Sequence, residues 1–231
     1  MSLYSFILDN KSVLELLYAL LLAFICGVIF FRTDKFFRLS LHKGLRYFRN
    51  AFLFYGAAFI ARYLFGVFSD LNFDYAYVMK IIFEYFFVMA AFFLLYSLMW
   101  KRFETQKEKH SSLFNAKIAI FHVMALVVAV MDNLWQTYYF LFGAEILIFI
   151  YASVLAYSNY KKDKKQHRFL KFYFIAMLLS LAAWTLNFLA ESYFNWNHWL
   201  LIDVGIIDVI FFLLFLYGVV KATKQNGNKE T

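Results

Sequence analysis

Two aspartates interrupt an apolar stretch near the carboxyl end, LLIDVGIIDVIFFLLF, at Asp203 and Asp208. Further ionisable side chains stand inside other apolar stretches, namely Arg62, Glu84 and Glu145. A charge that faces lipid at the centre of a bilayer costs on the order of 3 kcal/mol or more, so such groups turn into a helix bundle, pair with one another or become neutral. Carboxyls in such positions are typical of proton relays and cation pathways.

The position of each acid along its apolar stretch predicts its depth, because a helix rises about 1.5 Å per residue. Asp208 and Glu145 lie near the middle of their stretches, Asp203 lies about one turn from the outer end, and Glu84 lies about two turns in. Asp203 and Asp208 are five residues apart, hence about 140° apart around a helix. We therefore expect one of them to line a polar cavity and the other to anchor a neighbouring helix.

Basic and amide side chains complete the predicted site. Arg62 and Asn187 approach the outer ends of their stretches, and Lys80 stands four residues before Glu84, a spacing that lets this pair interact on one helix face. Acids outnumber bases in the outer half, so we expect some carboxyls to carry a proton or to face water. The predicted ligand- or ion-binding residues are Asp208, Glu145, Asp203, Glu84, Arg62 and Asn187.

At the opposite, inner end, Arg46 and Arg49 are predicted to contact lipid phosphate or to close the inner end by pairing. Other kinds of chemistry have no support in the sequence. It contains no HExxH pattern and no glycine-rich phosphate loop, and Ser97, Ser153 and Ser180 have no nearby histidine. We therefore predict neither a metal site nor an enzymatic activity.

The composition is that of an integral membrane protein. The 231 residues are 64% hydrophobic and include no proline, whereas soluble domains are about 45–50% apolar. Apolar stretches of about 20 residues, the length that crosses the bilayer core as a helix, recur along the chain. We predict one all-α domain that spans the cell membrane with seven helices and ends in a short cytoplasmic tail. The predicted spans are about 12–31, 45–66, 76–100, 113–131, 135–158, 169–190 and 199–220, and the tail is 222–231.

The basic residues predict the orientation of the bundle. Three connections are basic, RTDKFFRLSLHK (32–43), KRFETQKEKH (101–110) and NYKKDKKQHR (159–168), and the connections that alternate with them contain no Lys or Arg. Because Lys and Arg in short loops stay in the cytoplasm, the amino terminus is predicted outside and the carboxyl terminus inside. The net charge of +8 thus reflects topology. We expect the lipid bilayer as a partner and exclude nucleic acid.

A weak internal repeat relates the second and sixth stretches. They begin with HKGLRYF (42–48) and HRFLKFY (167–173), and Ala51 then matches Ala176 in the same register. This similarity suggests two parallel three-helix units joined by a fourth helix, a 3+1+3 plan of the kind that recurs in membrane carriers. The seventh stretch has no lysine that could form a retinal Schiff base, so no cofactor is predicted.

Three classes of function fit these features. The leading hypothesis is a carrier or permeation pathway for a small solute or cation, with protons as a candidate coupling ion. In it Asp208 and Glu145 take and release a proton or cation, and Arg62 and Glu84 act at the outer mouth. One alternative is a seven-helix sensor or receptor-like protein that signals through a separate cytoplasmic partner. The other is a structural or assembly subunit whose charges pair with those of another membrane protein.

Overall fold

The computed structural model describes residues 11–40, 43–71, 73–103, 116–162, 168–194 and 198–227. Over these residues the chain forms seven α-helices. They are α1 Lys11–Ser40, α2 Lys43–Leu71, α3 Phe73–Phe103, α4 Ala116–Trp135, α5 Tyr139–Lys162, α6 Arg168–Phe194 and α7 His198–Gly227. The all-helical prediction is thus confirmed for the described part of the chain.

Five of the seven helices are long and apolar enough to cross a membrane. The segments are Leu16–Lys35 in α1, Tyr77–Trp100 in α3, Ile118–Trp135 in α4, Tyr139–Lys162 in α5 and Leu170–Tyr193 in α6. Helix is the form expected of such segments, because in hydrocarbon each backbone N–H and C=O must find its partner within the segment. These five helices indicate a multi-pass membrane protein.

Six of the described helices form a closed ring, in which each helix packs on two others. Helix α1 packs on α2 and α7, α2 on α3, α3 on α5, α5 on α6, and α6 on α7. Helix α4 lies outside this ring and packs on α3 and α5. Only 22% of the residues in the α4 span are buried within the protein, whereas 61% of those in the α3 span are buried. Of the five apolar spans, α3 is therefore the most enclosed and α4 the most peripheral.

Aromatic rings fill the space where α2 faces α7. Helix α2 presents Phe48, Phe52, Tyr55 and Phe59 at spacings of four, three and four residues, and all four side chains are buried. Tyr55 and Phe59 both contact the ring of Phe212 in α7 edge to face, at centroid distances of 5.3 and 5.5 Å. Such pairs contribute about 0.5–1.5 kcal/mol each beyond the burial of their area. This stripe holds α2 and α7 in register.

Candidate functional site

The carboxyl groups of Glu145 and Asp208 lie at similar levels along the bundle. Glu145 lies four residues before Phe149 in α5, and Asp208 lies three residues before Phe211 in α7. The rings of Phe149 and Phe211 are in contact, with centroids 6.5 Å apart. Short connections make α6 antiparallel to both of its neighbours, so α5 and α7 run in the same direction. Glu145 and Asp208 therefore both lie about one turn to the same side of this ring contact.

Asp208 joins α7 to α1. The hydroxyl of Tyr18 donates a hydrogen bond to Asp208 Oδ2 at 3.1 Å. Arg62 of α2 interacts electrostatically with the same carboxyl, while its guanidinium carbon lies 5.9 Å from the centre of the Phe83 ring. Asp208 is half-buried and Arg62 is exposed. This acid thus has one neutral hydrogen-bond donor and one nearby cation.

Glu145 is fully buried, and neither of its carboxyl oxygens has a hydrogen-bond partner among the described residues. The hydroxyl of Tyr55 in α2 is also buried without a partner among the described residues, and the Tyr55 ring contacts Phe211 and Phe212, about one turn beyond Asp208 in α7. Buried polar groups are nearly always paired with protein atoms or water, so these three oxygens are exceptions that need an explanation. We refer to Tyr18, Tyr55, Glu145 and Asp208 as the central layer.

A second polar group, the outer cluster, consists of Lys80, Glu84, Asp132, Thr137 and Tyr138. The buried Lys80 Nζ donates a hydrogen bond to the carbonyl oxygen of Thr137 at 2.9 Å. It also lies 3.7 Å from Glu84 Oε1 and 4.2 Å from the centre of the Tyr138 ring. The pairing of Lys80 with Glu84 predicted from their spacing is confirmed. Glu84 is fully buried, and Lys80 is the cation that compensates it.

Asp132 caps the amino end of α5. Its carboxylate accepts hydrogen bonds from the backbone N–H groups of Phe140 at 2.9 Å and Leu141 at 2.6 Å, and from the Thr137 hydroxyl at 3.1 Å. It thereby closes the α4–α5 turn, where Gln136 has a φ of 53°. Asp132 lies within α4, seven residues before α5 begins, so it is too far along the chain to be read from the sequence as the usual helix start signal. Because its carboxylate accepts all three of these hydrogen bonds, Asp132 has a structural role.

The remaining predicted site residues are Asn187, Asp203, Arg46 and Arg49. Asn187 is half-buried in α6, and the side chain of Asp203 lies outside the described residues. Near the start of α2, Arg49 forms an ion pair with Asp34 of α1, and Arg46 is half-buried. Arg49 is thus engaged in holding α1 and α2 together.

Tyr18 and Tyr55 belong to the central layer but were not among the predicted site residues. The chain contains 17 tyrosines, and membrane helices often carry tyrosine for anchoring, so neither residue stands out by type. Their importance follows from their position across from the acids, which depends on how α1 and α2 pack. No local signal in the sequence reports that packing.

One groove at the surface of the described bundle is not lined by these carboxyls. A groove of about 360 Å³ lies between α3 and α4, lined mainly by aliphatic side chains such as Ile81 and Leu126. Its polar members are Tyr85 and His122, whose hydroxyl oxygen and Nδ1 atom lie 2.6 Å apart. Around Tyr55, by contrast, aromatic rings occupy the space between the helices. The shared cavity expected from the sequence at Glu145 and Asp208 stays a prediction.

The central layer contains groups that exchange protons, two carboxyls and two phenols. Among the described residues, no group of three or more His, Cys, Asp or Glu side chains is placed to hold a metal ion. No protein-family profile matches the chain, no curated protein is significantly similar to it in sequence, and no solved structure matches it significantly.

Proposed function

We propose that all seven helices cross the cell membrane, with the amino terminus outside and the carboxyl terminus in the cytoplasm. The distribution of Lys and Arg among the connections supports this orientation. Helix α2 packs directly on the apolar helices α1 and α3, and α7 packs on the apolar helices α1 and α6. This packing supports the proposal that α2 and α7 lie in the membrane beside them. The packing order α1–α2–α3 recurs as α5–α6–α7 with α4 outside, in agreement with the proposed 3+1+3 parallel repeat.

On this topology we propose a carrier or permeation pathway for a small solute or cation, coupled to protons. The observation that supports it best is Glu145, which is fully buried and has no hydrogen-bond partner among the described residues. A carboxyl that only tied two helices together would be hydrogen-bonded, because an unpaired buried acid costs several kcal/mol. Ionisable groups retained inside a membrane bundle despite this cost are typically those that bind and release protons or ions.

The two polar groups then have different roles. In the central layer, Glu145 and Asp208 take and release the proton that accompanies transport. In the outer cluster, Glu84 is held in place by Lys80, and together with Arg62 it orients a solute that enters from outside. Lys80 binds Thr137 just before α5 begins, whereas Glu145 lies six residues into α5, about 9 Å along it, so a solute entering from outside meets the outer cluster first.

Proton movement into proteoliposomes tests this proposal. The purified protein is reconstituted with a trapped pH-sensitive dye, a membrane potential is applied, and gradients of sodium, potassium or methylammonium serve as probes. Glu145→Gln preserves the shape of the side chain and removes the proton site, so proton movement should be lost. Glu191→Gln, at a half-buried acid near the outer end of α6, is the matched control and should retain it. Wild-type proton movement in a monodisperse E145Q protein contradicts the proposal.

A sensor is the second candidate function, and the aromatic packing around Tyr55 favours it. Rings of Phe87 and Phe212 fill the space through which a solute would pass. In a sensor, protonation of Glu145 or a ligand at the outer cluster would change helix packing, and a separate cytoplasmic partner would respond. Absence of flux with every probe, together with a pH-dependent change in protease sensitivity of the basic connections, would favour this alternative.

A further inference from the structure

The ammonium group of Lys80 occupies a site that offers it three kinds of partner. Its Nζ atom donates to the Thr137 carbonyl oxygen at 2.9 Å, faces the Tyr138 ring at 4.2 Å and lies 3.7 Å from Glu84 Oε1. We propose that this is the binding site for the ammonium group of the solute, and that the solute is a small primary amine that takes the place of Lys80. This inference rests on the proposed carrier function and names its substrate class.

The Thr137 carbonyl is available to a cation because of the way in which α5 begins. In a helix this carbonyl would accept a hydrogen bond from the N–H group four residues on, but Leu141 N–H donates to Asp132 Oδ2 at 2.6 Å instead. The Thr137 hydroxyl and backbone N–H also donate to Asp132, at 3.1 and 3.0 Å. Asp132 therefore frees the Thr137 carbonyl from the helix and holds the residue that carries it in place.

Glu84 has hydrogen-bonding capacity that Lys80 does not use. Both carboxyl oxygens are buried, and neither has a hydrogen-bond partner in the part of the chain that the structure describes. The 3.7 Å between Nζ and Oε1 is an ion-pair distance and is longer than a hydrogen bond. Lys80 is tethered to the same helix four residues away, whereas a free ammonium group can approach Thr137 and Glu84 together, at about 2.7–2.9 Å. The site thus suits an untethered ammonium better than it suits Lys80.

Lys80 lies close enough to the outer end of α3 to leave the site. It stands three residues after Tyr77, where the apolar span of α3 begins, hence about 4.5 Å along the helix. Lysine side chains near the ends of membrane helices extend along apolar surface and place their charge in water. Exchange replaces one ammonium group by another, so the buried Glu84 keeps a compensating cation and avoids the cost of a lone buried charge.

The partners select a small primary ammonium over other cations. A quaternary ammonium ion has no N–H group and cannot donate to the Thr137 carbonyl. Calcium takes about six to eight oxygen ligands and magnesium about six, whereas Thr137 and Glu84 present one carbonyl and one carboxylate. The face of an aromatic ring such as Tyr138 attracts ammonium groups. Because Lys80 is buried, its withdrawal opens the space of one butylammonium chain, which limits the size of the solute.

Binding of methylammonium to the purified protein tests the site without any transport. Carbon-13-labelled methylammonium is titrated into the protein in detergent at constant ionic strength, and saturation-transfer NMR reports the bound fraction. Wild type should bind it, and Lys80→Ala should bind it about tenfold more tightly, because a tethered competitor at an effective concentration of millimolar or more is removed. Addition of Glu84→Gln to K80A should weaken binding at least about tenfold, because the charged acceptor is lost.

Lys221→Ala is the matched control for the removal of a lysine. Lys221 Nζ also lies over a tyrosine ring, 5.2 Å from the centre of Tyr217, but its contact is exposed. This variant should bind methylammonium as wild type does. Sodium and tetramethylammonium are the competitors, and neither should displace methylammonium at equal concentration.

Several outcomes overturn the amine site. Binding to K80A but not to wild type makes Lys80 a permanent occupant, and equal affinity in both places the binding elsewhere. Displacement by sodium or tetramethylammonium contradicts the primary-amine class. The wild-type and competition titrations need no variant, so they decide even if K80A fails to fold. Methylammonium binding with proton movement unchanged in E145Q liposomes removes the carrier and leaves the amine site, whereas proton movement lost in E145Q without methylammonium binding leaves the carrier alone.

Discussion

Replacement of Lys80 by methionine tests whether the outer cluster depends on a buried ion pair. Methionine retains the apolar part of the lysine side chain and removes the ammonium group. That group lies 2.9 Å from the carbonyl oxygen of Thr137, 3.7 Å from Glu84 Oε1 and 4.2 Å from the centre of the Tyr138 ring. The variant therefore leaves the fully buried Glu84 without its cation.

Most of the expected loss of stability comes from Glu84, because K80M leaves its carboxylate buried without a nearby cation. Removal of one partner from a buried ion pair costs about 3–5 kcal/mol. The charged hydrogen bond to Thr137 accounts for about 1.5–3 kcal/mol and the contact with Tyr138 for about 2 kcal/mol at most, and these contributions overlap with the first. Since 1 kcal/mol shifts the melting temperature of a protein of this size by about 2–4 °C, K80M should lower it by roughly 6–20 °C.

Thermal unfolding in detergent at one fixed heating rate measures this effect for wild type, K80M, E84Q and the double variant. The double variant removes both charges, so it should recover a coupling free energy of about 0.5–3 kcal/mol relative to the sum of the single changes. Lys221→Met, at an exposed contact with Tyr217, is the control and should cost less than about 1 kcal/mol. A K80M protein that melts with wild type, or strict additivity of the two changes, refutes a coupled pair.

Two further predictions concern the α4–α5 turn and the topology. Asp132→Ala strands the backbone donors at the start of α5, so it should cost at least about 2 kcal/mol and lower the melting midpoint in the same assay by about 4–8 °C. Cysteine at the exposed Gln136 should react with a membrane-impermeant maleimide added to intact cells, whereas cysteine at the exposed Lys162 should react only after lysis. The native thiol is buried and adds little background, and the opposite labelling pattern contradicts the proposed orientation.

Hydropathy predicts the apolar part of each helix but not its polar extension. The first apolar stretch was expected to end near residue 31, whereas α1 continues to Ser40. Within the extension, Arg38 Nε donates to Asp34 Oδ2 at 2.9 Å across one helical turn, and Asp34 also pairs with Arg49 of α2. Such i to i+4 pairs and the contact with a neighbouring helix stabilise helix where hydrophobicity falls. Their contribution depends on tertiary packing, which a single apolar window does not report.

Depth along a helix could be predicted from the sequence, whereas rotation around the helix axis and the identity of partners could not. Counting residues predicts that Glu145 and Asp208 both lie near the middle of their apolar stretches, and the contact between Phe149 and Phe211 is consistent with similar levels along the bundle. The hydrogen bond from Tyr18 to Asp208 joins residues 190 positions apart. Only the packing of α1 against α7 creates it, and no spacing rule connects two such distant positions.

The aromatic packing around the central layer bears on what could pass through it. Hydrated ions and solutes need a continuous open volume, whereas a proton moves by exchange along hydroxyls and waters that stay in place. Around Tyr55 the volume is occupied by the rings of Phe87 and Phe212, and the Tyr55 hydroxyl is buried. In the proposed carrier, proton transfer to Glu145 therefore takes place in the packed arrangement, and a solute can cross only when these rings separate. Each ring pair adds about 0.5–1.5 kcal/mol to the free energy of separation, beyond the contribution of the area that it buries.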